Sequence, residues 1–296
     1  MYYSMTDGEI FVAVEPKGAE MLSLCDMTQG NKEYIWSGDE RYWPRHAPNL
    51  FPFVGSIFGG KYSYDGKEFD FGLRHGFARY MKFDLTSHSE KSMTFSLRSD
   101  CETKAKYPFD FEFSVRYDLL GNKTLGVTYT VKNISAEKEM IFAVGGHPGF
   151  RVPINAEEKF EDYYLEFPEK SCPERYFPTD DGFMKEKPEV YSLEDGVRLS
   201  LRHDLFDNDA VVLAGTPKTV CLKSKNGSNG VKMNFDGFGM LGIWHTNKSD
   251  APFVCLEPWN GHTAFVGEKL PLEEKPDMLR LKPRDEYSVG FTIEIF

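Results

Sequence analysis

Phe111-Glu112-Phe113-Ser114-Val115-Arg116-Tyr117-Asp118-Leu119 alternates without a fault: every odd position is apolar or aromatic and every even one is polar or charged. Side chains of an extended strand point to opposite faces in turn, so this spacing predicts a strand with one face buried and one in water. The alternation resumes at Leu125, Val127, Tyr129 and Val131, with Gly121-Asn122 between the two runs. Alternation on both sides of a Gly-Asn turn predicts an antiparallel hairpin.

The same period recurs outward from this hairpin. Tyr62 to Phe71 reads as a second hairpin turning at Asp65-Gly66, and Tyr287, Val289, Phe291, Ile293 and Ile295 share one face of another strand. Shorter strands are expected at Glu20–Leu24, Met93–Leu97, Met140–Val144, Val211–Ala214, Thr219–Lys223 and Val231–Phe235. Helical spacing is nearly absent; only Ala156–Phe160 and Leu201–Phe206 suit short helical turns. Many antiparallel strands over 296 residues predict an all-β chain, a large two-sheet sandwich forming one domain over residues 1–296.

A net charge of −11 argues against nucleic acid, whose phosphates demand clustered Lys and Arg. The expected partner is a small, weakly charged molecule. No run approaches the roughly 18 apolar residues a membrane span needs, and no basic segment leads into an apolar one near Met1. Cys25, Cys101, Cys172, Cys221 and Cys255 are odd in number and never spaced Cys-x-x-Cys, which reads as reduced core thiols in a cytoplasmic protein.

Three loop-like clusters carry the residues suited to chemistry: Leu73–Arg79, Val144–Phe150 and Val254–His262. Glu257 follows the apolar run Phe253–Leu256 and precedes Pro258. A carboxylate at the end of a buried strand is partly desolvated, which raises its pKa and suits a general base. A Glu that caps a turn or pairs with an Arg is the plainer alternative. His147 lies between Gly146 and Pro148, so its backbone is constrained and its ring has little cover; it suits proton transfer or simply satisfies loop carbonyls. His75, Arg79, Asp207, Asp209 and the four tryptophans Trp36, Trp43, Trp244 and Trp259 are weaker candidates taken singly. Nucleotide-binding Gly-rich loops, His-Glu-x-x-His and a Gly-x-Ser-x-Gly elbow are all missing, so neither a nucleotide nor a metal is expected.

Taken in order, the clusters resemble the aldose 1-epimerase (galactose mutarotase) family, and within it the LacX-type branch of mutarotase-related proteins. The phrases are Pro48-Asn49-Leu50-Phe51-Pro52 with Val54-Gly55, His75-Gly76-Phe77-Ala78-Arg79 and Gly146-His147-Pro148-Gly149-Phe150. Leu205–Ala210, Leu241-Gly242-Ile243-Trp244 and Cys255-Leu256-Glu257-Pro258-Trp259 follow. The resemblance implies a galactose mutarotase-like sandwich and a cofactor-free isomerase acting on a monosaccharide. It implies Glu257 as general base at the C1 hydroxyl, His147 as general acid at the ring oxygen and His75 as a hydrogen-bond donor nearby. It further implies Arg79, Asp209 and Trp244 as substrate-binding residues, in a monomer or weak homodimer.

One departure stands out. Many relatives carry an arginine just after the Val-Gly of the Leu-Phe-Pro segment, whereas this chain has Ser56, leaving Arg45, Arg74 or Arg79 to supply a guanidinium. His-Gly-Phe-Ala-Arg also resembles the hexose-6-phosphate epimerase branch, so a phosphorylated sugar is the alternative substrate. A non-catalytic sugar-binding protein is a third reading. A glycoside hydrolase is disfavoured, because it needs two carboxylates about 5–10 Å apart across the scissile bond.

Overall fold

Phe111–Gly121 and Thr124–Asn133 form the expected hairpin, paired from Phe111↔Asn133 to Leu119↔Leu125. The odd-numbered residues are buried, as the alternation requires. The turn itself is displaced by one residue. Asn122 and Lys123 take the left-handed conformation, with φ of 52° and 54°, while Gly121 belongs to the strand after a bulge at Leu120. Two consecutive positive φ values match the right-handed twist of the flanking strands.

In this computed structural model, which describes residues 1–179, 181–185 and 187–296, the hairpin lies within a nine-stranded antiparallel sheet. The strand order is Arg198–Ser200, Tyr163–Glu166, Thr219–Ser224, Gly230–Asn234, Glu286–Ile295, Thr124–Asn133, Phe111–Gly121, Ser92–Arg98 and Asp84–His88. A second large sheet runs Glu189–Val190, Glu174–Tyr176, Val211–Ala214, Met240–Trp244, Phe253–Asn260, Val144–Gly146 and Asn49–Leu50, and Gly149–Arg151 also pairs with Phe253–Asn260. A four-stranded sheet from Tyr3–Thr6 to Lys32–Glu33 and two hairpin-sized sheets complete the β structure.

The core is aromatic. Phe51, from the second sheet's edge, stacks on Phe113 of the first with ring centroids 4.6 Å apart, and Phe53, Phe77, Tyr107 and Phe111 crowd round them. Rings of this size dominate core energetics; removing one such as Phe113 typically costs about 3–5 kcal/mol. Asn49 is the polar knot in that core. Its amide donates to the carbonyls of Gly18 and Ala19, each at 2.9 Å, and its oxygen accepts from Tyr129 Oη at 2.8 Å.

Three departures from the sequence reading have local causes. Met140–Val144 splits, because the Ala143 amide turns aside to Pro52 O; Met140–Phe142 pairs with Leu279–Leu281 and Val144–Gly146 joins the large sheet. A six-residue helix, Cys101–Lys106, is set by a capping box between Asp100 and Thr103 and is too short to show an apolar period. The cysteines are not all core: Cys101 and Cys172 are exposed, Cys25 and Cys221 half-buried, and only Cys255 is buried. Among the described residues no helix is long and apolar enough to cross a membrane.

Candidate functional site

Cys255, Glu257 and Trp259 stand at alternate positions of Phe253–Asn260 and so project to one side of the sheet. On one flank Met240–Trp244 sets Gly242 opposite Glu257. On the other flank the chain from Val144 to Arg151 runs alongside, pairing Gly145↔Trp259 and then Gly149↔Cys255. The two pairings share one register, so His147, midway between them, falls opposite Glu257. Opposed residues share a face, and His147 Nε2 comes 3.1 Å from Glu257 Oε2.

Glycines make room for this pair. A Cβ on Gly242 would stand 2.8 Å from the Trp259 ring and 3.2 Å from Glu257 Cβ, and one on Gly145 would stand 2.8 Å from Trp259. A Cβ on Gly149 would press on Trp43 at 3.1 Å. Trp43 uses that space to lie parallel to the His147 imidazole at 4.8 Å, while Trp244 meets the same ring edge-on at 5.6 Å.

A second segment closes the pocket. His75 and Gly76 both adopt positive φ, 63° and 75°, which turns the chain sharply and aims the His75 ring inward, 5.4 Å from that of His147. Gly55 N–H donates to His75 Nδ1 at 3.1 Å. A neutral imidazole that accepts at Nδ1 carries its proton on Nε2. Arg74 Nε, 3.3 Å from Nε2, therefore meets a second donor, and Nε2–H is left for a ligand. Arg74 instead pairs with Asp209 Oδ2 at 3.2 Å, while Asp209 Oδ1 accepts from the Ala210 amide.

Together Trp43, Arg74, His75, Arg79, His147 and Asp209 join Trp244, Glu257 and Trp259 around a cavity of about 320 Å³. That volume lies at the small end of ordinary small-molecule sites, about 300–1,000 Å³. Glu257 is 1% exposed and Arg79 9%. Burial pushes the Glu257 carboxyl well above its usual range, against the pull of the Arg74 and Arg79 charges. Burial, reinforced by the same two arginines, pushes the His147 imidazole well below its usual range, and His75 shifts the same way. Among the described residues, Glu257 Oε2, His147 Nδ1, Arg79 Nε and Trp259 Nε1 are buried without a hydrogen-bond partner. The His147–Glu257 contact is thus close but not aligned as a hydrogen bond. Four unsatisfied polar atoms around one cavity are costly and fit a ligand rich in hydroxyl groups.

The cavity brings together His147, Glu257, His75, Arg79, Asp209 and Trp244. Two details of the sequence reading change. Glu257 is inside a strand, not at its end, because the missing N–H of Pro258 faces the side where the Val144–Arg151 ladder is interrupted. The His147 ring is not uncovered but lies beneath two indoles. Asp209 lines the cavity and Asp207 does not. Of the three arginines, Arg74 and Arg79 line it, whereas Arg45 is held by Glu20 at 3.2 Å. Ser56 lies outside, its amide donating to Thr263 Oγ1 at 2.9 Å. Trp43 and Arg74, named in the sequence only among several alternatives, are both in the cavity wall.

A family model described as aldose 1-epimerase matches residues 1–294. Protein LacX of Lactococcus lactis subsp. lactis, in its plasmid form, is 36% identical over 286 residues, covering 94% of each chain. Among solved structures, a galactose mutarotase related enzyme from Lactobacillus acidophilus superposes with a TM-score of 0.93 at 33% identity, covering 100% of this chain and 97% of that one. A galactose mutarotase-like protein from Lactobacillus casei ATCC 334 gives a TM-score of 0.92 at 31% identity, with both chains fully covered.

Proposed function

Because the chain belongs to the aldose 1-epimerase family, we propose that it interconverts the α and β anomers of a hexose, with Glu257 as general base and His147 as general acid. The observation that carries this reading is the opposed pair itself, buried at the base of the cavity with an unpartnered atom on each residue.

Burial favours a neutral carboxyl and a neutral imidazole, so without sugar the pair holds one proton, on Glu257. Moving that proton to His147, relayed by a sugar hydroxyl because the 3.1 Å contact is not itself a hydrogen bond, yields the carboxylate and imidazolium the reaction needs. Sugar hydroxyls stabilise this ionised form by hydrogen bonding. Glu257 then takes the C1 hydroxyl proton while His147 protonates the ring oxygen, and the C1–O bond opens to the aldehyde. Rotation about C1–C2 presents the other face, and closure reverses both transfers. His75 Nε2–H donates towards the developing alcohol; Arg79 and Asp209 hold ring hydroxyls, and Trp244 offers a face to C–H groups. Arg74 takes the place of the arginine missing at Ser56.

A hexose 6-phosphate is the second reading, favoured by the nearly buried Arg79, whose Nε has no partner among the described residues. Polarimetry on freshly dissolved α-D-galactose, α-D-glucose and their 6-phosphates separates the two. Acceleration by the wild type is expected, with a loss of at least about a hundredfold in both Glu257→Gln and His147→Asn. Full activity in Glu257→Gln overturns the mechanism. No acceleration on any of these sugars leaves a different sugar substrate or a binding protein on the epimerase fold.

A further inference from the structure

Cys255 is the buried cysteine of this chain, and the strand carries it to the same side as Glu257, two residues on. A ring nitrogen of His147, Cys255 Sγ and a carboxylate oxygen of Glu257 all lie within 4.8 Å of one another. We propose that these three side chains form a binding site for a thiophilic divalent cation of the Zn²⁺, Cd²⁺ or Co²⁺ type, and that metal held there blocks the sugar cavity.

Imidazole, thiolate and carboxylate are a donor set that zinc accepts, and the thiolate disfavours Mg²⁺ and Ca²⁺. A tetrahedral ion about 2.0–2.3 Å from each donor needs the donors roughly 3.3–3.8 Å apart. His147 and Glu257 already approach to 3.1 Å, so the adjustment falls mainly on the widest separation, about 1 Å by the same geometry. Gly149 pairs directly with Cys255, so the neighbouring strand places no side chain over the thiol. Glu257 Oε2, the atom that faces His147 Nε2, is buried and without a hydrogen-bond partner among the described residues. Trp36, Trp43, Trp244 and Phe253 form an apolar wall round Cys255.

Binding replaces the Cys255 thiol proton and the proton held on Glu257, and both pass to solvent. The ion then occupies both groups assigned to the sugar, so it acts as an inhibitor and not as a cofactor. Two of the three donors lie on one strand and the third in the link between Val144–Gly146 and Gly149–Arg151, a spacing that no sequence motif for zinc encodes.

The test is an optical titration of the full chain with Co²⁺ in a Cys101→Ser, Cys172→Ser background, which removes the exposed thiols. One equivalent should produce visible bands of tetrahedral cobalt and a thiolate charge-transfer band, both bleached by Zn²⁺. Cys255→Ala in that background should remove the charge-transfer band and weaken binding at least about a hundredfold. Glu257→Gln, which keeps the thiol and the packing, should weaken it at least about tenfold. Circular dichroism reports whether each variant folds. No charge-transfer band in the parent, or a band that survives Cys255→Ala, overturns the proposal. The titration needs no sugar, so its failure is distinct from a failure of the epimerase reading.

Discussion

Gly55 and His75 hydrogen-bond in both directions: His75 N–H donates to Gly55 O at 2.7 Å, and Gly55 N–H donates to His75 Nδ1 at 3.1 Å. This exchange fixes the ring's position, and its shorter donor contact favours acceptance at Nδ1 over Nε2. Gly55 itself has φ of 71° and packs against Thr263 so closely that any Cβ would collide with that residue. Gly55→Ala should therefore cost about 2–4 kcal/mol, from the left-handed backbone and the collision together. Denaturant unfolding measures this, and an unchanged midpoint would show that the loop yields freely.

Gly242→Ala tests the floor of the cavity. Its methyl would meet the Trp259 ring at 2.8 Å and Glu257 Cβ at 3.2 Å. We expect a folded protein, destabilised by about 1–3 kcal/mol, whose turnover drops at least about tenfold because the base is displaced. Wild-type kinetics in this variant would mean that Glu257 does not depend on the space beside it.

Arg79→Met should separate binding from stability. A nearly buried guanidinium with an unpartnered Nε gains little for the fold, so replacing it with an apolar chain is expected to change stability by less than about 1 kcal/mol or to raise it. The Michaelis constant should rise at least about tenfold, and more steeply for a 6-phosphate than for the free sugar if the second substrate is correct. A large loss of stability with unchanged kinetics would assign Arg79 to the fold.

His245 predicts an acid limit to stability. Burial lowers its pKa from 6.5 to about 4, with the nearby His203 adding to the shift and the bond to Thr246 O opposing it. Between those values the unfolded chain binds a proton that the folded one refuses. Stability is thus complete above about pH 6.5 and is lost as pH falls towards about 4, by up to about 3 kcal/mol from this residue. His75 and His147, shifted the same way, add to the fall, and Glu257, shifted upward, opposes it. Urea midpoints from about pH 4 to about pH 7 should show the slope, and His245→Leu should flatten it. A midpoint that rises on acidification would contradict the assignment.

Period-two alternation made the long strands readable, because one face of each is buried and the other wet. His147, Glu257 and His75 were readable as a set, through the order of the three clusters in the chain. What stayed hidden depends on neighbours distant in sequence. The identity of the residue opposite Glu257 is a matter of register between strands, and Trp43's position over His147 depends on the missing side chain of Gly149. The strand continuing past Pro258 could not be foreseen, since a proline within an apolar run normally marks its end. Arg74 could be placed in the cavity only once its pairing with Asp209 was known.

The strand Glu286–Ile295 is the last in sequence order, yet it occupies the middle of the nine-stranded sheet, between Gly230–Asn234 and Thr124–Asn133. A chain made from its N-terminus therefore lacks the strand that joins the two halves of this sheet, and leaves the backbone edges of Gly230–Asn234 and Thr124–Asn133 unpaired, until this segment arrives. The two halves of the large sheet can therefore join only after Glu286–Ile295 has been made, however early their own strands pair.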